Sequence, residues 1–312
     1  MSTPSTEEAR TAEQVAWLTR QERGALSGIR AVFWLARAFG RRPAQLVLRF
    51  VALWYVLGDR AARESSRVWL TRVHGKPASL AAIYDHLYTF ACVTLDRVFL
   101  LMGEYKKFDV KPEGSHHLRT LVAEKRGAVL VGAHLGSFEA MRARGADQRF
   151  PINIVGHFEN ARMINSLLAV LNPELSARVI HVGKDPVGFA TQVRERLEAG
   201  EMVAILADRV GLNDKQMEVP FLGENAAFPT GPFLLAHALK CPVYLTFGLY
   251  FAPNRYEIFC EPFAERISLP RGQREQALRE VMERYAARLE HYARRAPNNW
   301  FNFYDFWKTR SP

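Results

Sequence analysis

Ala128-Val129-Leu130-Val131-Gly132-Ala133 is a run with no polar side chain anywhere in it. A strand wetted on one face alternates apolar with polar residues, so an unbroken run of this length reads as a strand covered on both faces. Further candidate strands follow at 152–155, 179–182, 203–206 and 243–249, with 256–260 behind them. Helical stretches lie between them at 160–171, 188–199, 230–238 and 271–294. Alternation at this spacing predicts an α/β fold, with a central sheet flanked by helices. No internal repeat, low-complexity tract or linker rich in Pro, Gly or Ser divides the chain, so one domain is expected.

The first third has a different texture. From residue 15 to about 110, apolar residues recur three and four apart between arginines, which predicts helices and no strand. The expected organisation is therefore an N-terminal helical region, 1–110, joined to an α/β core, 111–312. Residues 29–56 mix Arg30, Arg37, Arg41, Arg42 and Arg49 with Phe, Trp and Leu, as in helices lying in a membrane interface. An ordinary amphipathic helix packed on a core has the same pattern. The longest apolar stretch here, 46–58, is broken by Arg49 and is shorter than the roughly 20 residues that span a bilayer. The polar segment 1–23 lacks the apolar centre of a secretory signal.

A net charge of +10 attracts any extended acidic partner: a nucleic acid, an anionic lipid surface or an acidic carrier protein. The sequence has neither zinc-finger spacing nor an RNP-like run of glycine and aromatics, which argues against a nucleic acid. The three cysteines, Cys92, Cys241 and Cys260, lie far apart in apolar stretches, and are expected to be reduced and buried.

Directly after the first buried run comes His134-Leu135-Gly136-Ser137-Phe138-Glu139. Open α/β sheets bind ligands at the carboxyl ends of their strands. His134 and Glu139 would not share a face of one helix, but they can converge if His134 sits in a turn that Gly136 permits. A neutral imidazole can take the proton of a hydroxyl, and a carboxylate can fix its tautomer. The plain alternative is a structural histidine beside a surface charge. Asp208 and Arg209 follow another strand candidate, where Arg209 could bind a phosphate and Asp208 could position it or cap a turn. Thr230 is a candidate N-cap of the helix that Pro232 opens, a place where an anion could bind. His157 also follows a strand, and with Asn160 and Arg162 could line an acceptor pocket. No residues stand at metal-ligand spacing.

The His134-x4-Glu139 pattern after a buried strand resembles the HX4(D/E) motif of the lysophospholipid acyltransferase superfamily, in its lipid A late-acyltransferase branch. Other segments agree: Trp17-Leu18 before Glu22-Arg23-Gly24, Arg67 to Leu70, Asp208-Arg209, Val219 to Gly223, and Phe228 to Gly231. The resemblance covers roughly Val15 to Trp307. It implies a mixed sheet flanked by helices, with an N-terminal membrane-associating region at the cytoplasmic face of the bacterial inner membrane. It implies O-acyl transfer from acyl carrier protein, or from coenzyme A, to a lipid hydroxyl, with His134 as base and Glu139 as its carboxylate. Neither a metal nor a cofactor beyond the acyl thioester is implied. The aromatic tail, Asn299 to Trp307, resembles acyltransferases of aryl polyene and related lipid clusters more than those of lipid A, which makes lipid A the less favoured acceptor. That tail could be a lid over an acyl channel, a membrane-facing surface or a core-packed terminus. An acyl thioesterase using His134 to activate water, and a non-enzymatic peripheral membrane-binding protein, are the alternatives.

Overall fold

The computed structural model describes residues 34, 36, 38–156, 178–182, 185–211 and 215–307. Among the described elements, three helices precede the first strand: α1 (Arg41–Gly58), α2 (Arg60–His74) and α3 (Leu80–Leu101). Asp59 caps α2 by accepting from the Ala62 amide, and Ser79 caps α3 by accepting from the Ala82 amide. There follow β1 (Asp109–Glu113), α4 (Ser115–Ala123), β2 (Ala128–Gly132), α5 (Phe138–Asp147), β3 (Ile152–Gly156) and β4 (Val179–His181). The remainder comprises α6 (Pro186–Glu198), β5 (Met202–Leu206), β6 (Gln216–Phe221), β7 (Glu224–Pro229), α7 (Gly231–Leu239), β8 (Val243–Phe251), β9 (Arg255–Ala264) and α8 (Arg274–Arg295).

Seven strands form one sheet in the order β1-β9-β8-β2-β5-β3-β4, and β6 pairs with β7 as a separate hairpin. The β8–β9 pair is antiparallel and every other pair in the large sheet is parallel. The fold is therefore the expected α/β class with a mixed sheet. β2 is its middle strand and is buried at all five positions, as the apolar run requires.

Alternate side chains of β2 and β5 serve two cores. Val129, Val131, Val203 and Ile205 face a large core shared with α2, α6, α7 and α8, while Ala128, Leu130, Met202 and Ala204 face a smaller one under α4. A third core joins α1 and α3 to Tyr250 and Tyr256 of the sheet.

Two elements fall outside the sequence expectation. β1 begins at the end of the stretch read as helical and was not expected as a strand; it is a short edge strand, DVKPE, exposed at four of its five positions, so it carries no apolar signal. The β6–β7 hairpin turns on Leu222 and Gly223, both at positive φ (52° and 88°), the geometry of a two-residue turn that usually selects Asn-Gly or Gly-Gly. Leu222 is held there by burial and by its amide donating to Glu290 Oε2 at 2.7 Å. The helix expected at 160–171 lies outside the described residues. The three cysteines are free and buried.

The tail is part of the large core rather than a lid or a membrane-facing surface. Trp300 and Trp307 are 1% and 7% exposed, and Trp300 stacks on Trp69 with ring centres 4.7 Å apart. Phe221 of the hairpin stacks on Trp307 at 5.8 Å. Such stacked aromatic pairs add to the burial of their large apolar area.

Candidate active site

The register of the central strands builds the site. Gly132 of β2 is paired with Leu206 of the parallel β5, so the residues two places beyond each, His134 and Asp208, leave the sheet side by side. Nδ1 of His134 lies 2.9 Å from Oδ1 of Asp208. Asp208 is fully buried, and 31% of the His134 side chain remains exposed. A carboxylate can only accept, so the imidazole carries its proton on Nδ1, and Nε2 has a free lone pair. Among the described residues Nε2 makes no hydrogen bond.

The electrostatics suit a neutral imidazole beside an ionised carboxylate. Burial pushes His134 below its ordinary value, the positive charges of Arg209 and Arg97 push it further, and Asp208 pulls it back only in part. Burial acts to raise Asp208, but His134, Arg209 and a hydrogen bond from Asn302 prevail and hold its carboxyl below the usual range.

Glu139 stands on the helix after the turn, as its spacing required, but its carboxylate is bonded elsewhere than the resemblance implied. Ser137 caps α5 by accepting from the Ala140 amide, which puts Glu139 in the first turn. From there its carboxylate pairs with Arg97 of α3, Oε1 to Nε 2.8 Å. The carboxylate on His134 is Asp208, because strand register brings residue 208 opposite residue 134, whereas Glu139 leaves on the helix toward α3.

The turn that carries His134 is held from two sides. Gly136 has φ 77°, and a Cβ there would sit 2.0 Å from the carbonyl oxygen of Gly248, so only glycine fits. The Ser137 amide donates to that same carbonyl at 2.7 Å. On the other side lies the tail: the Gly136 amide donates to Asn299 O at 2.7 Å, and the Phe301 amide donates to His134 O at 3.1 Å. Asn299 is itself fixed by exchanging hydrogen bonds with the Tyr250 backbone at 2.6 and 3.0 Å.

Arg209 adjoins the pair, but its guanidinium is partly committed. Nε donates to Asn302 Oδ1 at 2.7 Å, and a terminal nitrogen donates to Phe301 O at 3.2 Å. Thr230 stands at the N-cap position of α7 without capping it. It is buried, and its hydroxyl donates to Lys215 O at 3.0 Å, so that hydroxyl is not offered to an anion. His157, Asn160 and Arg162 lie outside the described residues. The structure thus gathers His134, Asp208 and Arg209, sets Glu139 on Arg97, and leaves Thr230 bonded elsewhere.

Sequence reasoning missed Arg97, Asn299 and Asn302. The asparagines did leave a signal: an amide set in a run of buried aromatics must find partners inside the protein.

Beneath α5 an apolar cleft of about 60 Å³ is lined by Leu130, Phe138, Met141, Ile154 and Ala204. Among the described residues no group of three or more His, Cys, Asp or Glu could hold a metal ion, and no helix is long and apolar enough to cross a membrane.

No match was found among curated proteins. The model of one protein family, described as bacterial lipid A biosynthesis acyltransferase, matches residues 31–309, so that both His134 and Asp208 and the tail that braces them lie within the match. The chain belongs to the bacterial lipid A biosynthesis acyltransferase family, and is an acyltransferase of lipid biosynthesis.

Proposed function

We propose that the protein transfers a fatty acyl group from an acyl thioester, carried by acyl carrier protein or coenzyme A, to a hydroxyl of a lipid or glycolipid acceptor, with His134 as general base. The observation that carries this reading is the His134–Asp208 pair at the carboxyl ends of two neighbouring central strands, its Nε2 lone pair uncommitted among the described residues. Nε2 takes the acceptor's hydroxyl proton as the oxygen attacks the thioester carbon. The tetrahedral intermediate then expels the thiolate as the C–S bond breaks, and the imidazolium returns the proton to sulfur. Asp208 holds the tautomer and favours the transient imidazolium. Glu139 serves indirectly by holding Arg97, and Arg209 supplies positive charge where anionic substrate groups approach. The family match favours lipid A-type acceptors, which the resemblance of the tail had ranked lower.

The same reading sets the enzyme peripherally on the cytoplasmic face of the inner membrane, through α1. Its buried face is small, with Ala44, Leu48, Ala52 and Val56 at every fourth position. Its large side chains point outward: Phe50, Trp54 and Leu57 are 68%, 64% and 73% exposed. That is the reverse of a helix made to face water, and with Arg42 and Arg49 alongside it suits an anionic lipid interface.

The test is to supply purified protein with palmitoyl carrier protein and a total lipid extract, following released thiol and lipid products by mass spectrometry. A new acylated lipid, absent with His134→Ala, supports the transferase. Free fatty acid alone would point to a thioesterase.

A further inference from the structure

The Asn302 side chain is 3% exposed and is bonded through both its nitrogen and its oxygen. Its Nδ2 donates to Oδ2 of Asp208 at 2.8 Å, and its Oδ1 accepts from Nε of Arg209 at 2.7 Å. One partner can only accept and the other can only donate, so the amide has one orientation in which both bonds exist. The two carboxylate oxygens of Asp208 are then divided, Oδ1 to His134 and Oδ2 to Asn302. Neither the family match nor the motif spacing assigns a role to this residue.

We propose that Asn302 is a positioning residue for the transfer reaction: its amide locks Asp208 and Arg209 in fixed relation and thereby fixes the orientation and tautomer of His134. The proposal rests on the reading of His134 as the base. An asparagine suits the place because only a side chain with a donor and an acceptor a fixed distance apart can bridge a carboxylate and a guanidinium while staying neutral. The tail backbone makes the clamp rigid: Phe301 binds the His134 carbonyl, and the Trp300 carbonyl accepts from Nε2 of His86 at 2.6 Å. The charged or titratable groups around the pair are Arg209 beside Asp208, Arg97 from α3, Glu139 from α5, and Tyr285 from α8, whose hydroxyl donates to Gly132 O at 2.9 Å.

The variants are Asn302→Leu, which keeps the volume and removes both bonds, and Asn302→Ser, a smaller change that covers the case in which the first does not fold. Each is measured for kcat and KM across pH with palmitoyl carrier protein and lipid extract, and His134 is followed by long-range nitrogen-15 NMR, assigned by its loss in His134→Ala. In either variant kcat is expected to fall about tenfold or more with little change in KM, since a buried charged acceptor loses a partner. The titration of His134 is expected to move to higher pH as Arg209 is released. A folded variant with wild-type kcat and an unmoved His134 titration overturns the proposal. Activity that survives in His134→Ala refutes the base assignment instead, and the NMR titration then decides whether the clamp exists.

Discussion

Arg97 Nε lies 2.8 Å from Glu139 Oε1, an ion pair that joins α3 of the N-terminal helices to the first turn of α5, directly after the turn that carries His134. The carboxylate nearest His134 in sequence is thereby engaged elsewhere, and Asp208 stands on Nδ1 in its place.

The two carboxylates should therefore fail differently. Asp208→Asn preserves shape but presents an amide to Nδ1, which allows the wrong tautomer, and kcat is expected to fall by about 10²–10⁴-fold. Glu139→Gln loosens Arg97 and is expected to cost about tenfold. Steady-state rates for the two purified variants check the ranking. A larger loss in Glu139→Gln than in Asp208→Asn would show that Glu139 is the working partner.

The pH profile follows from the direction of the His134 shift. A general base works only when neutral, and activity is lost as pH falls through its folded value. Because burial, Arg209 and Arg97 hold that value below the ordinary 6.5, the acid limb of kcat/KM is expected below pH 6.5. Arg209→Leu removes a repelling charge and should move the limb upward. An unmoved limb in that variant would mean that Arg209 does not act on the imidazole.

A second histidine is expected to make the fold sensitive to acid. His86 is buried, with Nδ1 accepting from the Ser66 hydroxyl at 2.7 Å and Nε2 donating to Trp300 O at 2.6 Å. Burial is the larger influence and lowers it to about 4, with the Trp300 carbonyl pulling the other way. A depressed histidine costs nothing above its unfolded value and destabilises the fold as pH drops from about 6.5 toward 4, by about 3 kcal/mol in all. Chemical denaturation at pH 7 and pH 5 should show this loss. His86→Gln should be less stable at pH 7 and show a smaller fall between the two; an equal fall would place the acid sensitivity elsewhere.

Membrane attachment through α1 predicts a separation of binding from chemistry. Phe50→Ala with Trp54→Ala should weaken sedimentation with phosphatidylglycerol vesicles by about tenfold or more, from the apolar area removed. Turnover of a soluble short-chain thioester should be unchanged. Undiminished vesicle binding would assign the membrane contact to another surface.

The middle of the fold was legible because β2, β5 and β8 are largely buried runs whose apolar residues have no other explanation. Edge strand β1 and the Leu222-Gly223 hairpin were not, since one is mostly exposed and the other turns on a leucine. His134 and Asp208 could be read from their positions after such runs, and their contact follows from a register that sequence cannot supply. Glu139 lies on the helix after the turn as read, but spacing along the chain does not say that its carboxylate points to Arg97. Asn302 lay 94 residues from Asp208, in a tail whose aromatic residues gave no choice among a lid, an interface and a core.

The most direct test of the account is single-turnover acyl transfer by wild-type and His134→Ala protein, both shown to be folded, using palmitoyl carrier protein and lipid extract and counting acylated lipid product. The account predicts a loss of about 10³-fold or more in the variant, with lipid acylated by the wild type. Transfer by His134→Ala at a rate within a few fold of wild type would contradict it.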